Sequence, residues 1–204
     1  MTKIKLCGIK RKCDIDFVNE LKPDYIGFVF AKKSKRYIAP KEAEALRKRL
    51  HTDIAAVGVF VDADIEVIVE LVKKGVIDVI QLHGNEDEAY ISTLRKRLDC
   101  IIIKAFCIRD SEDTILANAS SADFVLLDSG GGSGTTFEWT HIKEIKRPYF
   151  LAGGLNPENV GDAVYELSPY AVDASSSLET DGFKDKEKMA AFVNAVRKER
   201  TDTI

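Results

Sequence analysis

At 204 residues, 45% of them apolar, the chain can bury one sizeable core and sits near the lower bound for a large barrel. Charged residues make up 31% but nearly cancel, to a net charge of −3, which argues against nucleic acid or membrane lipid as a partner, so any anionic ligand must be held by local donors. No segment reads as a signal peptide or a membrane span, and Cys7, Cys13, Cys100 and Cys107 form no CxxC pair, so reduced thiols in a cytoplasmic protein are expected.

The predicted elements open with two apolar runs, IKLC (4–7) and YIGFVF (25–30). PKEAEALRKRL (40–50) has helical spacing and begins with a proline suited to a first helical turn. IAAVGVFV (54–61) reads as a strand, and DADIEVIVELVKKG (62–75) as a helix ending in basic residues and glycine. DVIQL (78–82) precedes NEDEAYISTLRKRL (85–98), whose acids come first and bases last, complementing the helix dipole. The strands continue with CIIIKAF (100–106), DFVLLD (123–128) and YFLAG (149–153). NPENVGDAVYEL (156–167) pairs an N-cap asparagine with proline at the next position. YAVDAS (170–175) is the eighth strand and KDKEKMAAFVNAVRKER (184–200) the closing helix.

Such continuous β-branched runs suit strands buried on both faces of a parallel sheet. Eight of them alternating with helices predict an α/β fold, a single-domain (β/α)8 TIM barrel over residues 1–204. An open doubly wound sheet is the alternative, but CGIKRKCD after the first strand is not the GxGxxG that fold usually carries.

Working residues of such a barrel collect at the C-terminal strand ends. Read off in order, these are Cys7, Arg36 in KKSKRY, Asp62, Gln81 with His83, Phe106 with Cys107, Asp128, Gly153 with Gly154, and Asp173 through Ser177. LAGGLNPENV and VDASSSLETDG, adjacent in the barrel, suit a phosphate held by main-chain amides and helix-terminal charge. After Asp128 comes SGGGSG, either a generous surface loop or a flexible cover laid close over a ligand. Three histidines in three different contexts, His51, His83 and His141, argue against a metal site built on imidazoles.

KLCGIK, GFVF with SKRY, QLHG, LLD with GGSGTTFEW, LAGGLNPENV, and VDASSSLE before GFKD occur in the order of the phosphoribosylanthranilate isomerase family, which the chain resembles along nearly its whole length. The resemblance implies a role in tryptophan biosynthesis and an Amadori rearrangement of an aminoaldose to an aminoketose, with no redox step and no cofactor. It implies Asp128 as general acid and Cys7 as general base, and Arg36 for the anthranilate carboxylate. Gln81 and His83 are expected beneath the aromatic ring; Gly132, in the glycine stretch, close over the substrate; Gly153, Gly154, Ser175 and Ser176 around the phosphate; Asp173 placing the last phosphate loop. The partner implied is a small phosphosugar–anthranilate molecule, with monomer and homodimer both open. For this chemistry the acid's pKa should be raised and the thiol's lowered. Ser177 stands where the family often has glycine.

On residue type alone, Cys7 is a core cysteine and Asp128 is open between a cap and an acid. Two rival readings follow. One is another phosphosugar barrel, for instance a metal-dependent epimerase or a Schiff-base aldolase with Lys104 as the lysine inside the barrel; the other is non-catalytic, a phosphate-ligand sensor or a thiol switch using Cys7 and Cys107.

Overall fold

The structure, a computed structural model, describes residues 1–128 and 141–198. Eight parallel strands form a closed barrel in chain order: β1 (Lys3–Cys7), β2 (Tyr25–Val29), β3 (Ala55–Phe60), β4 (Val79–Leu82), β5 (Ile101–Cys107), β6 (Phe124–Asp128), β7 (Tyr149–Ala152) and β8 (Ala171–Ala174), which pairs back onto β1. The helices are α1 (Lys12–Leu21), α2 (Pro40–Arg47), α3 (Ile65–Lys73), α4 (Glu88–Arg95), α5 (Ser111–Ala119), α6 (Val160–Leu167) and α7 (Lys186–Lys198). A hairpin of β9 (Glu179–Thr180) and β10 (Phe183–Lys184) leads into α7.

Two helices form where none is singled out above. α1 starts over Asp14, a fully buried carboxylate that accepts the Lys10 and Arg11 amides and Arg11 Nε. α5 is capped by Asp110, which accepts the Glu112 and Asp113 amides. Asn156 also caps, but one turn ahead of α6: its side chain accepts the Glu158 and Asn159 amides, and its carbonyl accepts the Val160 amide.

Alternation along each strand sorts the side chains into two sets. One set, including Leu6, Ile26, Phe60, Leu82 and Val172, packs outward into the main core under the helices. The other fills the barrel with Tyr25, Val57, Val79, Ile103, Leu126, Phe150 and Ala171. At the strand starts this inner core becomes an aromatic floor. Phe124 stacks on Tyr170 at 4.5 Å, Phe150 meets Tyr25 edge-on at 5.5 Å, and the Tyr25 and Tyr170 hydroxyls are 3.1 Å apart.

The floor is pinned by a device used three times. Asp24, Asp78 and Asp123 stand immediately before β2, β4 and β6. The carboxylate of each accepts an amide of the preceding strand, Ile4, Ala56 and Ile102 respectively, at 2.7–2.9 Å. The backbone amide of each aspartate donates back to the carbonyl of that same residue. Truncating Asp78 to alanine leaves the Ala56 amide without its acceptor, and about 1–3 kcal/mol of stability should be lost, with kcat unchanged. Urea denaturation beside a steady-state assay checks this. Among the described residues no helix is long and apolar enough to cross a membrane.

Candidate active site

A cavity of about 440 Å³ opens at the C-terminal ends of the strands. Its walls bring together Cys7, Arg36, Gln81, His83, Asp128, Gly153, Gly154, Asp173, Ser175 and Ser176, the candidates expected from sequence save Gly132. Gly132 and the rest of the glycine-rich stretch after Asp128 lie outside the described residues. Asp62 is not part of the wall. It sits at φ +48° and accepts the Asn85 amide, which ties two loops together.

Cys7 ends β1 with its side chain inside the barrel, on the same face as Lys5 two residues earlier. Lys5 is fully buried and donates to Asp173 Oδ2 at 2.8 Å. Burial works against the ammonium, but Asp173 and Cys7 together outweigh it and hold the Lys5 pKa above the ordinary lysine value. Cys7 departs from expectation. Burial is the largest influence on the thiol and pushes its pKa up; Lys5 and Lys184 pull it down, Asp173 pushes it up again, and the net shift is upward. Desolvation of an anion therefore outweighs the nearby cations before any ligand arrives.

The sulfur has room only because its neighbour on β2 is Gly27. A methyl there would stand 2.6 Å from Cys7 Sγ and 3.1 Å from its Cα. Gly27→Ala should cut kcat at least about tenfold by displacing the sulfur and cost about 1–3 kcal/mol through overpacking. Turnover and thermal melting of the same preparation test both parts.

Opposite Cys7 is a polar chain. Gln81 Nε2 and His83 Nδ1 are 3.0 Å apart, and His83 Nε2 stands 3.6 Å from Asp128 Oδ2. With Gln81 donating to Nδ1, the imidazole proton stands on Nε2, facing Asp128. Two buried acceptors of this wall, Gln81 Oε1 and Asp173 Oδ1, have no hydrogen-bond partner among the described residues. Such groups are costly to leave unmet and are suited to ligand hydroxyls.

Arg36 lines the cavity but is already engaged. Its Nε and Nη2 donate to Glu179 at 2.7 and 2.8 Å, so only the outer Nη1–Nη2 edge faces a further carboxylate. Glu179 also accepts from Lys184, which donates onward to the Ser175 carbonyl, and Ser175 Oγ donates to the Cys7 carbonyl. Arg36 and Lys184 hold the Glu179 pKa down despite burial. This relay fixes the β8 loop against β1.

At the far rim, Gly153 and Gly154 take φ of +85° and +67°, a backbone that a residue with a Cβ rarely adopts. Ser177, the departure from the family pattern, donates from Oγ to the Leu155 carbonyl at 2.5 Å. It joins the two rim loops.

Lys104 is not inside the barrel, which corrects the aldolase expectation. Strand parity turns it outward, where its Nζ donates to the Gly84 carbonyl and to Glu86. The lysine of the interior is Lys5. It was missed because IKLC reads as an ordinary apolar strand, though its alternation places Lys5 and Cys7 on one face. Cys107 is exposed at the end of β5, on the side of the barrel opposite Cys7. A disulfide between them would need Cα atoms within about 7 Å.

The sequence model described as N-(5′-phosphoribosyl)anthranilate (PRA) isomerase matches residues 4–195. The chain belongs to the phosphoribosylanthranilate isomerase family. It is 46% identical over 202 residues to N-(5′-phosphoribosyl)anthranilate isomerase of Endomicrobium trichonymphae, covering 97% of this chain and 99% of that one. Against the counterpart of Thermoanaerobacter sp. (strain X514), identity is 43% over 204 residues, covering 97% and 98%. The crystal structure of phosphoribosyl anthranilate isomerase from Thermotoga maritima superposes with a TM-score of 0.87 at 35% identity, covering 97% of this chain and all of that one. A phosphoribosylanthranilate isomerase solved in complex with reduced 1-(o-carboxyphenylamino)-1-deoxyribulose 5-phosphate superposes with a TM-score of 0.84 at 33% identity, with the same coverage. The (β/α)8 barrel expected from the strand count is the architecture of these isomerases.

Proposed function

We infer that the chain, acting as one barrel domain, converts N-(5′-phosphoribosyl)anthranilate to 1-(2-carboxyphenylamino)-1-deoxyribulose 5-phosphate in tryptophan biosynthesis. The observation that carries this reading is that Cys7 and Asp128 face one cavity whose far rim is turned backbone and serine.

Asp128 protonates the furanose ring oxygen, and the ring opens to a Schiff base. The Cys7 thiolate removes the C2′ proton, and the enolamine relaxes to the ketone. Each step moves a proton between groups lining one cavity, the requirement for general acid–base catalysis. The outer edge of Arg36 meets the anthranilate carboxylate, and Gln81 and His83 lie beneath the ring. Gly153, Gly154, Ser175 and Ser176 receive the phosphate. Asp173 has two duties, pairing with Lys5 through Oδ2 and offering Oδ1 to the ligand.

Freshly made phosphoribosylanthranilate mixed with the protein should lose its anthranilate fluorescence at a protein-dependent rate. No such change with folded protein would overturn the reading.

A further inference from the structure

Behind the Cys7 sulfur lies a cluster of charges that proton transfer itself does not call on. From β1 comes Lys5, with a side chain fully withdrawn from solvent, and from β8 its partner Asp173. From the hairpin come Glu179 and Lys184, whose side chain is 1% exposed. From the loop after β2 comes Arg36, paired with Glu179. His83 and Asp128 face the same cavity from β4 and β6, paired with each other at its more open side.

The inner cluster holds three cations, Lys5, Arg36 and Lys184, against two carboxylates, Asp173 and Glu179. Counting Arg36, whose side chain is 27% exposed at the cavity wall, it is one negative charge short. Buried charge left unbalanced is costly, and a thiolate at Cys7 brings the count to three against three. The geometry points to Lys5 and Lys184 as positioning residues that keep Cys7 ionisable, by making its thiolate the missing counter-charge of a buried cluster. This rests on Cys7 acting as the base in the reaction proposed above.

Burial is the largest influence on the Cys7 thiol and the net shift stays upward, but both lysines oppose it. Cys7 in turn favours the charged form of both lysines, as reciprocal linkage requires, although at Lys184 burial outweighs it and holds the pKa below the ordinary lysine value. Of the two, Lys5 acts more strongly, because it shares the strand face with Cys7 and is wholly shielded from water.

The test reads the thiol and not the turnover. Alkylation of Cys7 by iodoacetamide would be followed against pH by mass spectrometry of the Cys7 peptide, which separates it from Cys13, Cys100 and Cys107. Lys5→Met should raise the midpoint by at least one pH unit and slow alkylation at pH 7.5 about tenfold. Lys5→Arg, which keeps the charge, should stay close to the wild-type midpoint. Lys5→Met/Asp173→Asn removes the carboxylate that Lys5→Met strands, and should fall between wild type and the single variant. If Lys5→Met does not fold, the double variant and Lys184→Met carry the same comparison, each with an upward shift. An unchanged Cys7 profile in folded lysine variants would overturn the inference. Because alkylation needs no substrate, failure of the isomerase assay would leave this result standing, and the reverse also holds.

Discussion

Cys7→Ala is expected to lower kcat by about 10²–10⁴, the usual worth of a positioned general base, while binding of a reduced product analogue changes little. The alanine keeps β1 and its pairing with Gly27, and it removes only the group proposed to take the C2′ proton. The protein should fold as before, because Cys7 belongs to a small apolar cluster with Val29 and Val59 and not to the main core. Calorimetric titration of the analogue beside steady-state turnover separates the two effects. A variant that still turned over at more than a tenth of the wild-type rate would move the base elsewhere, with Asp173 the next group in the wall.

The second large effect is expected at Asp128. Asn can occupy the same space and accept from His83, but it has no proton to give the ring oxygen. Asp128→Asn should therefore cost about 10²–10⁴ in kcat, with KM moving far less. Ring opening precedes proton removal, so a single-turnover experiment should show the fluorescence change slowed from its start, without a fast early phase. A normal first phase followed by a slow one would place the defect after ring opening and take the acid's role away from Asp128. The two variants together should lose little more than the worse of them, since both groups serve one path.

Much of this was readable from the chain itself, because a buried parallel strand is a continuous apolar run and each of the eight runs became one strand. The rim residues followed from the rule that chemistry sits at the C-terminal strand ends. What was hidden depends on parity and on distance. Lys5 and Lys104 both lie in strands, and only the pleat decides that one faces inward and the other outward. Arg36 and Glu179 are 143 residues apart, so nothing local signals that the guanidinium is already half occupied. Gly27 looks like any strand glycine until the Cys7 sulfur is seen against it. The raised pKa of Cys7 was beyond reach for the same reason, since it is set by how completely the folded barrel removes water from the thiol.

The rings of Tyr25, Phe124, Phe150 and Tyr170 pack across one end of the barrel, and among the described residues the cavity has its doorway at the other. Substrate arriving and product departing share that threshold and cannot pass one another. A product molecule that lingers there bars the next substrate, so the pace of the whole cycle is bounded by how quickly the doorway empties.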